Sequence, residues 1–454
     1  MRLKKWSLSG IIMPVIAGTF GSIFLGRIAL IEILALAWLL LAGGYRNLPL
    51  LFKKSYSFIG LFYFSSAALI LSDIINQTSL ENAAKGAGAY ALFPTTVLFL
   101  LTVFNKDQLW LLLFSSYVAG IFTNPIVAEY GFSQDAFKFG FSSAAVFSIL
   151  TLTLLSRYFS LPFLNKSFWL SIVSSLSILV LGLWGNLRLL ALCAVLSIVL
   201  FLLRGSLPRF TGKSTNSQKT LFISLFAIPI SLLIVSIAMG QLSLIMINII
   251  PIDFVNVDAL QKTLGQSVGY LGVLFGGRSE IFSSFLAWLD KPIWGWGSWA
   301  ADSNDYYNLG GKILMNYFGY DLDINLIAAE FENVGTDGLI PTHSVLLNLL
   351  VWAGTIGFIP AYISVCKFIL NGLEAAKKDE SYSYPYLFAC SLCLWFLLFS
   401  PFGYSNRLNV TFLMAVSIAW FLGVWPGHFF PASSSSSALA TSSSTQAGEP
   451  PNDA

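Results

Sequence analysis

Long apolar runs broken by short polar turns dominate the chain. They are centred at about 8–25, 28–44, 57–72, 88–104, 108–124, 139–155, 168–185, 189–203, 220–240, 343–365, 385–400 and 408–425. Each is close to the ~20 apolar residues that carry a helix across a bilayer. The pattern predicts an all-α polytopic membrane protein with about 12 transmembrane helices. The first run follows Arg2, Lys4 and Lys5, as in a signal peptide. It lacks a small-residue cleavage site and is followed by many further spans, so we read it as a retained anchor.

Polar residues concentrate in one place. The segment 241–341 is the only long stretch outside the runs, and it holds 11 of the 22 acidic residues of the chain against four basic ones. Its part 258–290 has the pattern of a helix ending before Pro292. Turn signals follow at Gly295, Gly297, Gly310 and Gly311. The last 23 residues, from Ala432, include eight serines and cannot build a core, which predicts a disordered tail.

Composition adds weight to the pattern. Of 454 residues, 56% are hydrophobic and 10% charged, with a mean hydropathy of +0.75. A soluble domain carries about 25% charged residues, so a water-soluble globule is excluded. The net charge of +3 offers nothing to nucleic acid. Four cysteines (Cys193, Cys366, Cys390, Cys393) sit in apolar stretches and imply no disulfide framework. The charges do report topology. With the N-terminus inside, 16 Lys and Arg fall in inner segments and nine in outer ones, four of those nine in the long loop. Both termini are then cytoplasmic and the loop faces outward.

Outward-facing basic residues are costly near a membrane and hence informative. Arg188 lies in the turn Gly185–Asn186–Leu187–Arg188. The plain alternative is a snorkelling side chain, and the functional one is a guanidinium gripping phosphate oxygens. Arg278 follows Gly276 and Gly277 and precedes a probable helix start at Ser279, an arrangement that can present N–H groups and a cation to one anion; it is equally a helix start paired to a loop carboxylate. His343, one of two histidines, opens the tenth run after Pro341 and Thr342 and titrates near neutral pH; alone it reads as a cap. Arg407 sits in the outward turn that begins at Ser400. His428 reads as an interfacial anchor, and Cys390 with Cys393 as core packing. Glu32 and Arg27 are membrane-level charges able to pair. Trp294, Trp296 and Trp299 read as an interfacial belt. Asp321 and Asp323 form an Asp-x-Asp, a metal pattern that two letters support poorly.

The order of the pieces is more specific than any one of them. GRSEIFSSFLAWLDKPIWGWG (Gly277 to Gly297) is followed by PTHSVLLNLLVWAGTIGFIP (Pro341 to Pro360). Together they resemble the O-antigen ligase family, whose signature domain is shared with Wzy-type polymerases. The shared features are Gly-Arg, a downstream Trp, Pro-x-x-Gly-x-Gly, and a His opening a helix with a Gly pair, here Gly354 and Gly357. Ser344 stands where the family commonly has Asn, and Asn186–Leu187–Arg188 stands for its Ser-Arg.

The resemblance divides the chain into N-terminal spans (1–169), a ligase-like domain (170–365), C-terminal spans (366–431) and the tail (432–454). It implies glycan transfer from an undecaprenyl diphosphate carrier to an acceptor sugar hydroxyl, such as that of a lipid A-core, on the periplasmic side of a bacterial inner membrane. His343 would be general base, Arg278 catalytic, and Arg188, Arg278 and Arg407 the diphosphate ligands. Neither metal nor cofactor is required by that scheme. A polymerase is the second reading. A transporter is the third, although it would spread charges through the spans and often show a repeat.

Overall fold

The computed structural model describes residues 8–21, 23–25, 28–52, 57–123, 142–155, 167–184, 188–203, 280–319, 338–342, 344–378 and 383–422, with isolated positions at 230, 233–234, 237 and 271. Among these the protein is almost wholly helical. α1 (Leu8–Gly21) leads through a short hairpin, β1 (Phe24–Leu25) and β2 (Ile28–Ala29), into α2 (Leu30–Leu40). A 3-10 segment (Gly44–Phe52) precedes α3 (Ser57–Ile75), α4 (Leu80–Val103) and α5 (Lys106–Thr123). Then come α6 (Ser142–Leu155), α7 (Ser167–Trp184) and α8 (Arg188–Leu203). α9 (Glu280–Asp290) and α10 (Tyr306–Phe318) belong to the long polar segment. α11 (Val345–Lys378), α12 (Ser383–Phe399) and α13 (Tyr404–Leu422) complete the described elements.

Eleven of the twelve apolar runs coincide with a described helix. The ninth, 220–240, lies outside the described residues apart from a few positions. Among the described residues, α3, α4 and α11 are each long and apolar enough to cross a membrane, and seven shorter apolar helices accompany them. The helix expected over 258–290 is described from Glu280 and does end before Pro292. The Ser-rich tail, Asp321, Asp323 and His428 lie outside the described residues.

Local chemistry fixes several helix boundaries. Asn105 and Gln108 cap α5 reciprocally: the Gln108 N–H donates to Asn105 Oδ1 at 2.9 Å and the Asn105 N–H to Gln108 Oε1 at 3.0 Å. Ser79 accepts the Asn82 N–H at the start of α4. The core is aromatic, with Phe62 edge-on to Phe93, Tyr90 against Phe402 and Tyr386 stacked on Trp420. Cys193, Cys366, Cys390 and Cys393 are all buried in it as free thiols.

The axis of the bundle is the antiparallel pair α3–α11. Serine hydroxyls rivet it along its length. Ser72 Oγ donates to the Trp352 carbonyl at 2.6 Å, Ser65 Oγ to that of Gly357 at 2.7 Å, and Ser364 Oγ to that of Phe58 at 2.5 Å. The end of α3 and the start of α11 therefore lie at the same end of the bundle, and the candidate site is built there.

Candidate functional site

The site begins with a glycine. α11 is not continuous: Gly354 has φ +61° and ψ −160°, outside helical space. Such a break strands carbonyls above it and N–H groups below it, and within a membrane those groups cannot turn to water. The turn after α9 takes them up. The N–H groups of Trp296 and Gly297 donate to the carbonyls of Val351 (2.8 Å) and Trp352 (2.9 Å). On the other side of the break, the Thr355 and Ile356 N–H groups donate to the carbonyls of Pro292 (2.8 Å) and Ile293 (3.5 Å). Polar side chains add to this. Thr355 Oγ1 and Trp288 Nε1 both donate to the Pro292 carbonyl, at 2.6 and 3.1 Å.

The fit leaves no room for side chains at the glycines. Gly295 has φ +73°, and a Cβ there would lie 2.5 Å from the Gly354 nitrogen and the Val351 carbonyl oxygen. Gly297, at φ +82°, has its α-carbon against Thr78 and Asp73. The Pro-x-x-Gly-x-Gly of the sequence and Gly354 are thus two halves of one joint.

A polar network ties the joint to the end of α3. Asp73 is buried, and its carboxylate accepts the Ser298 N–H at 2.6 Å and the Ser298 hydroxyl at 2.9 Å. Asn76 Nδ2 donates to the Gly295 carbonyl at 3.1 Å, and Asn76 Oδ1 accepts from Lys291 Nζ at 2.7 Å. The same ammonium lies 4.1 Å from the centre of the Trp296 ring, a cation–π contact.

Sequence reading missed Asp73, Asn76, Lys291 and Ser298. The available signal was Asp73, an acid that continues the third apolar run. Of the supposed tryptophan belt, Trp296 donates to the Ala287 carbonyl at 2.7 Å and Trp299 packs on Trp352. These two belong to the joint, and Trp294 alone of the three faces outward.

Beside the joint, α9 and α10 pack against each other through Gly310, whose α-carbon approaches Ser283. Asp302 caps α10, accepting the Tyr306 and Tyr307 N–H groups at 2.8 and 3.1 Å. The Tyr306 hydroxyl donates to Asp290 and accepts from Asn304. Burial first, and then the bond to Asp290, push the Tyr306 phenol up to about 12.

Arg278 and His343 lie outside the described residues; Glu280, two residues after the first, and Pro341, Thr342 and Ser344 around the second are described. Glu280 opens α9, and one turn on, Ser284 Oγ donates to the Glu280 carbonyl at 2.7 Å and to that of Pro341 at 3.2 Å. Ser344 is buried and caps α11, accepting the N–H groups of Leu346 (3.2 Å) and Leu347 (3.3 Å) while donating to the Leu397 carbonyl at 3.2 Å. Thr342 donates to Asn348, and Tyr90 to the Val345 carbonyl at 2.7 Å. The start of α11 is thereby clamped between α4, α9 and the end of α12.

Arg188 is the first residue of α8, which packs on α7 and α12, but its side chain is not among the described ones. Arg407 is buried and committed. Its Nε and Nη2 donate to Glu32 Oε1 and Oε2 at 2.6 and 2.8 Å. Glu32 thus finds a partner near the far end of the chain; Arg27, the other charge that the sequence offers it, lies outside the described residues. The geometry turns two donors of the expected diphosphate ligand Arg407 toward a carboxylate of the protein. Among the described residues, no group of three His, Cys, Asp or Glu side chains is placed to hold a metal ion. Comparison with models of protein families, with curated proteins and with solved structures finds no match to this chain.

Proposed function

We propose that the protein is a membrane glycosyltransferase that moves a glycan from a polyprenyl diphosphate to an acceptor sugar hydroxyl, in the manner of an O-antigen ligase. In this reading about twelve helices span a bacterial inner membrane, both termini are cytoplasmic, and the segment 241–341 is periplasmic. The acceptor oxygen attacks the anomeric carbon and the bond from that carbon to the diphosphate oxygen breaks. The polyprenyl diphosphate departs, and the hydroxyl proton passes to His343. Arg278 and Arg188 hold the diphosphate and stabilise the charge it gains. Arg407 enters this scheme through Glu32, as a residue that fixes α13 to α2.

The observation that carries the proposal is the joint. The turn that follows Arg278 by one helix and the helix that follows His343 complete each other's backbone hydrogen bonds at Gly354. Two segments that the sequence marked separately are bonded to each other, which supports reading them as parts of one catalytic centre.

The test compares envelope glycans, by gel, from a strain lacking the gene and one carrying His343→Ala. Full-length glycan held on the polyprenyl carrier and missing from its acceptor is the expected result. Single repeat units, on carrier or acceptor, would instead make the protein a polymerase. Unaltered glycans in the deletion strain would overturn both readings.

A further inference from the structure

The outward side of the joint is apolar. On α9, Phe285 and Leu289 are exposed one turn apart, and Ile293 and Trp294 continue the strip through the turn. The strip meets the exposed residues Ile356 and Ile359 of α11, and the adjoining face of α3 exposes Phe64, Ile70, Leu71 and Ile74. Acidic and amide groups of this region point elsewhere: Asp73, Asn76, Asp290 and Asn304 are all engaged within the joint or with α10.

Depth can be read from the α3–α11 register. α3 has 19 residues, or about 28 Å at the helical rise of ~1.5 Å per residue, close to the thickness of bilayer hydrocarbon. Ser65, near the middle of α3, bonds to Gly357, and the residue before Gly357 donates its N–H to Ile293. Ile293 therefore lies well below the end of α3. Lys291 sits only two residues earlier, yet its ammonium reaches back to Asn76, just past that end, as a snorkelling lysine does.

The backbone of the turn is suited to such a place. The carbonyls of Lys291, Pro292, Ile293 and Gly295 all accept hydrogen bonds from the protein, and Pro292 has no N–H to satisfy. Carbonyls engaged in this way are spared the cost of lying bare in hydrocarbon.

We infer that the Pro292–Trp294 turn is a re-entrant element. It enters the same leaflet as the end of α3, with α9 lying along the interface and Phe285, Leu289, Ile293 and Trp294 in contact with lipid chains. The occupant of this face is bilayer lipid, because the strip continues without interruption onto the exposed faces of two helices long enough to span. The inference rests on the reading of α3 and α11 as membrane spans and is independent of the transferase assignment.

The experiment places nitroxide labels on Ile293→Cys, Leu289→Cys, Phe64→Cys and Ser303→Cys in the full chain, reconstituted in lipid nanodiscs. Collision with oxygen, which partitions into hydrocarbon, is compared with collision with a water-soluble nickel chelate. The native cysteines are buried and leave the introduced ones to react. Expected is an oxygen-to-nickel ratio at Ile293 and Leu289 equal to that at Phe64 and several-fold above that at Ser303. Nickel access at Ile293 matching Ser303, with Phe64 still lipid-like, overturns the inference alone. Low access to both reagents at Ile293 and Leu289 means that protein, a second copy included, covers the face, and also overturns it. Water-like behaviour at Phe64 would remove the spanning assignment on which the inference stands.

Discussion

α3 and α7 are apolar helices of nearly equal length, 19 and 18 residues, and both are rich in serine. They use their serines differently. On α7, Ser174 bonds to Thr153 of α6 at 2.6 Å and Ser175 to the Ala194 carbonyl of α8 at 3.2 Å, so both hydroxyls bind sequence neighbours. On α3, Ser65 and Ser72 bind carbonyls of α11, nearly three hundred residues away. The outer face of α7, with Trp169, Val173, Leu176 and Val180, is exposed and makes no polar claim on the rest of the protein. Near its end α3 carries Asp73, and Asn76 follows just past it; both hold the turn at the joint. One helix holds a flank together. The other assembles distant parts of the chain into a place where chemistry can occur.

The comparison breaks most severely at Gly295. Alanine there adds a methyl against the α11 backbone and a residue at positive φ. A loss of about 3–5 kcal/mol is expected, seen as a collapse of the apparent Tm in detergent followed by tryptophan fluorescence. Valine at Val180 of α7 is the reference, and Val180→Ala should change stability by only about 0.5 kcal/mol or less. Equal effects at the two positions would erase the distinction between the helices.

Comparable in size is the buried pair. Arg407→Met strands Glu32 in the core and should cost about 3–5 kcal/mol, whereas Glu32→Leu combined with Arg407→Met should recover most of it. Failure of the double variant to recover would mean that Arg407 has work beyond its carboxylate. The Asp73 network is smaller. Ser298→Ala removes one of its two bonds to Asp73 and should cost about 1–3 kcal/mol, measured in the same unfolding assay.

The smallest effect sharpens the comparison by pH. The Tyr306 phenol is held up at about 12 against its ordinary 10, so the folded protein favours the neutral form. The stabilisation is fully present below about pH 10 and is lost as the pH rises toward 12. Wild type should lose more stability than Tyr306→Phe between pH 9.5 and 11.5, about the window of that shift. Parallel curves would show that neither burial nor the bond to Asp290 holds the phenol neutral in the folded protein.

Much of the fold was legible in the residues, because an apolar run of spanning length has few alternatives to a helix in a membrane. The runs at 57–72 and 343–365 are found as α3 and α11, each extended at its C-terminal end. The site was legible as motifs, without their purposes. Gly295, Gly297 and Gly354 were marked as turn or helix-pair glycines, and their shared role needed the distance between them. Trp296 and Trp299 resembled a belt because sequence shows an aromatic residue but not what lies behind it. The pairing of Arg407 with Glu32 was not legible because the two stand 375 residues apart.

The sequence by itself determined that the chain is built of apolar helices, where most of them start and stop, and that its polar chemistry gathers in one long segment. Those properties follow from local periodicity, capping and the cost of charge in hydrocarbon, all of which act between near neighbours. Only the tertiary structure decided that α11 breaks at Gly354, that a distant turn fills the break, and which acid holds Arg407. Each of these is a matter of an unsatisfied buried group finding its complement, and such groups choose partners by position in space rather than by separation along the chain.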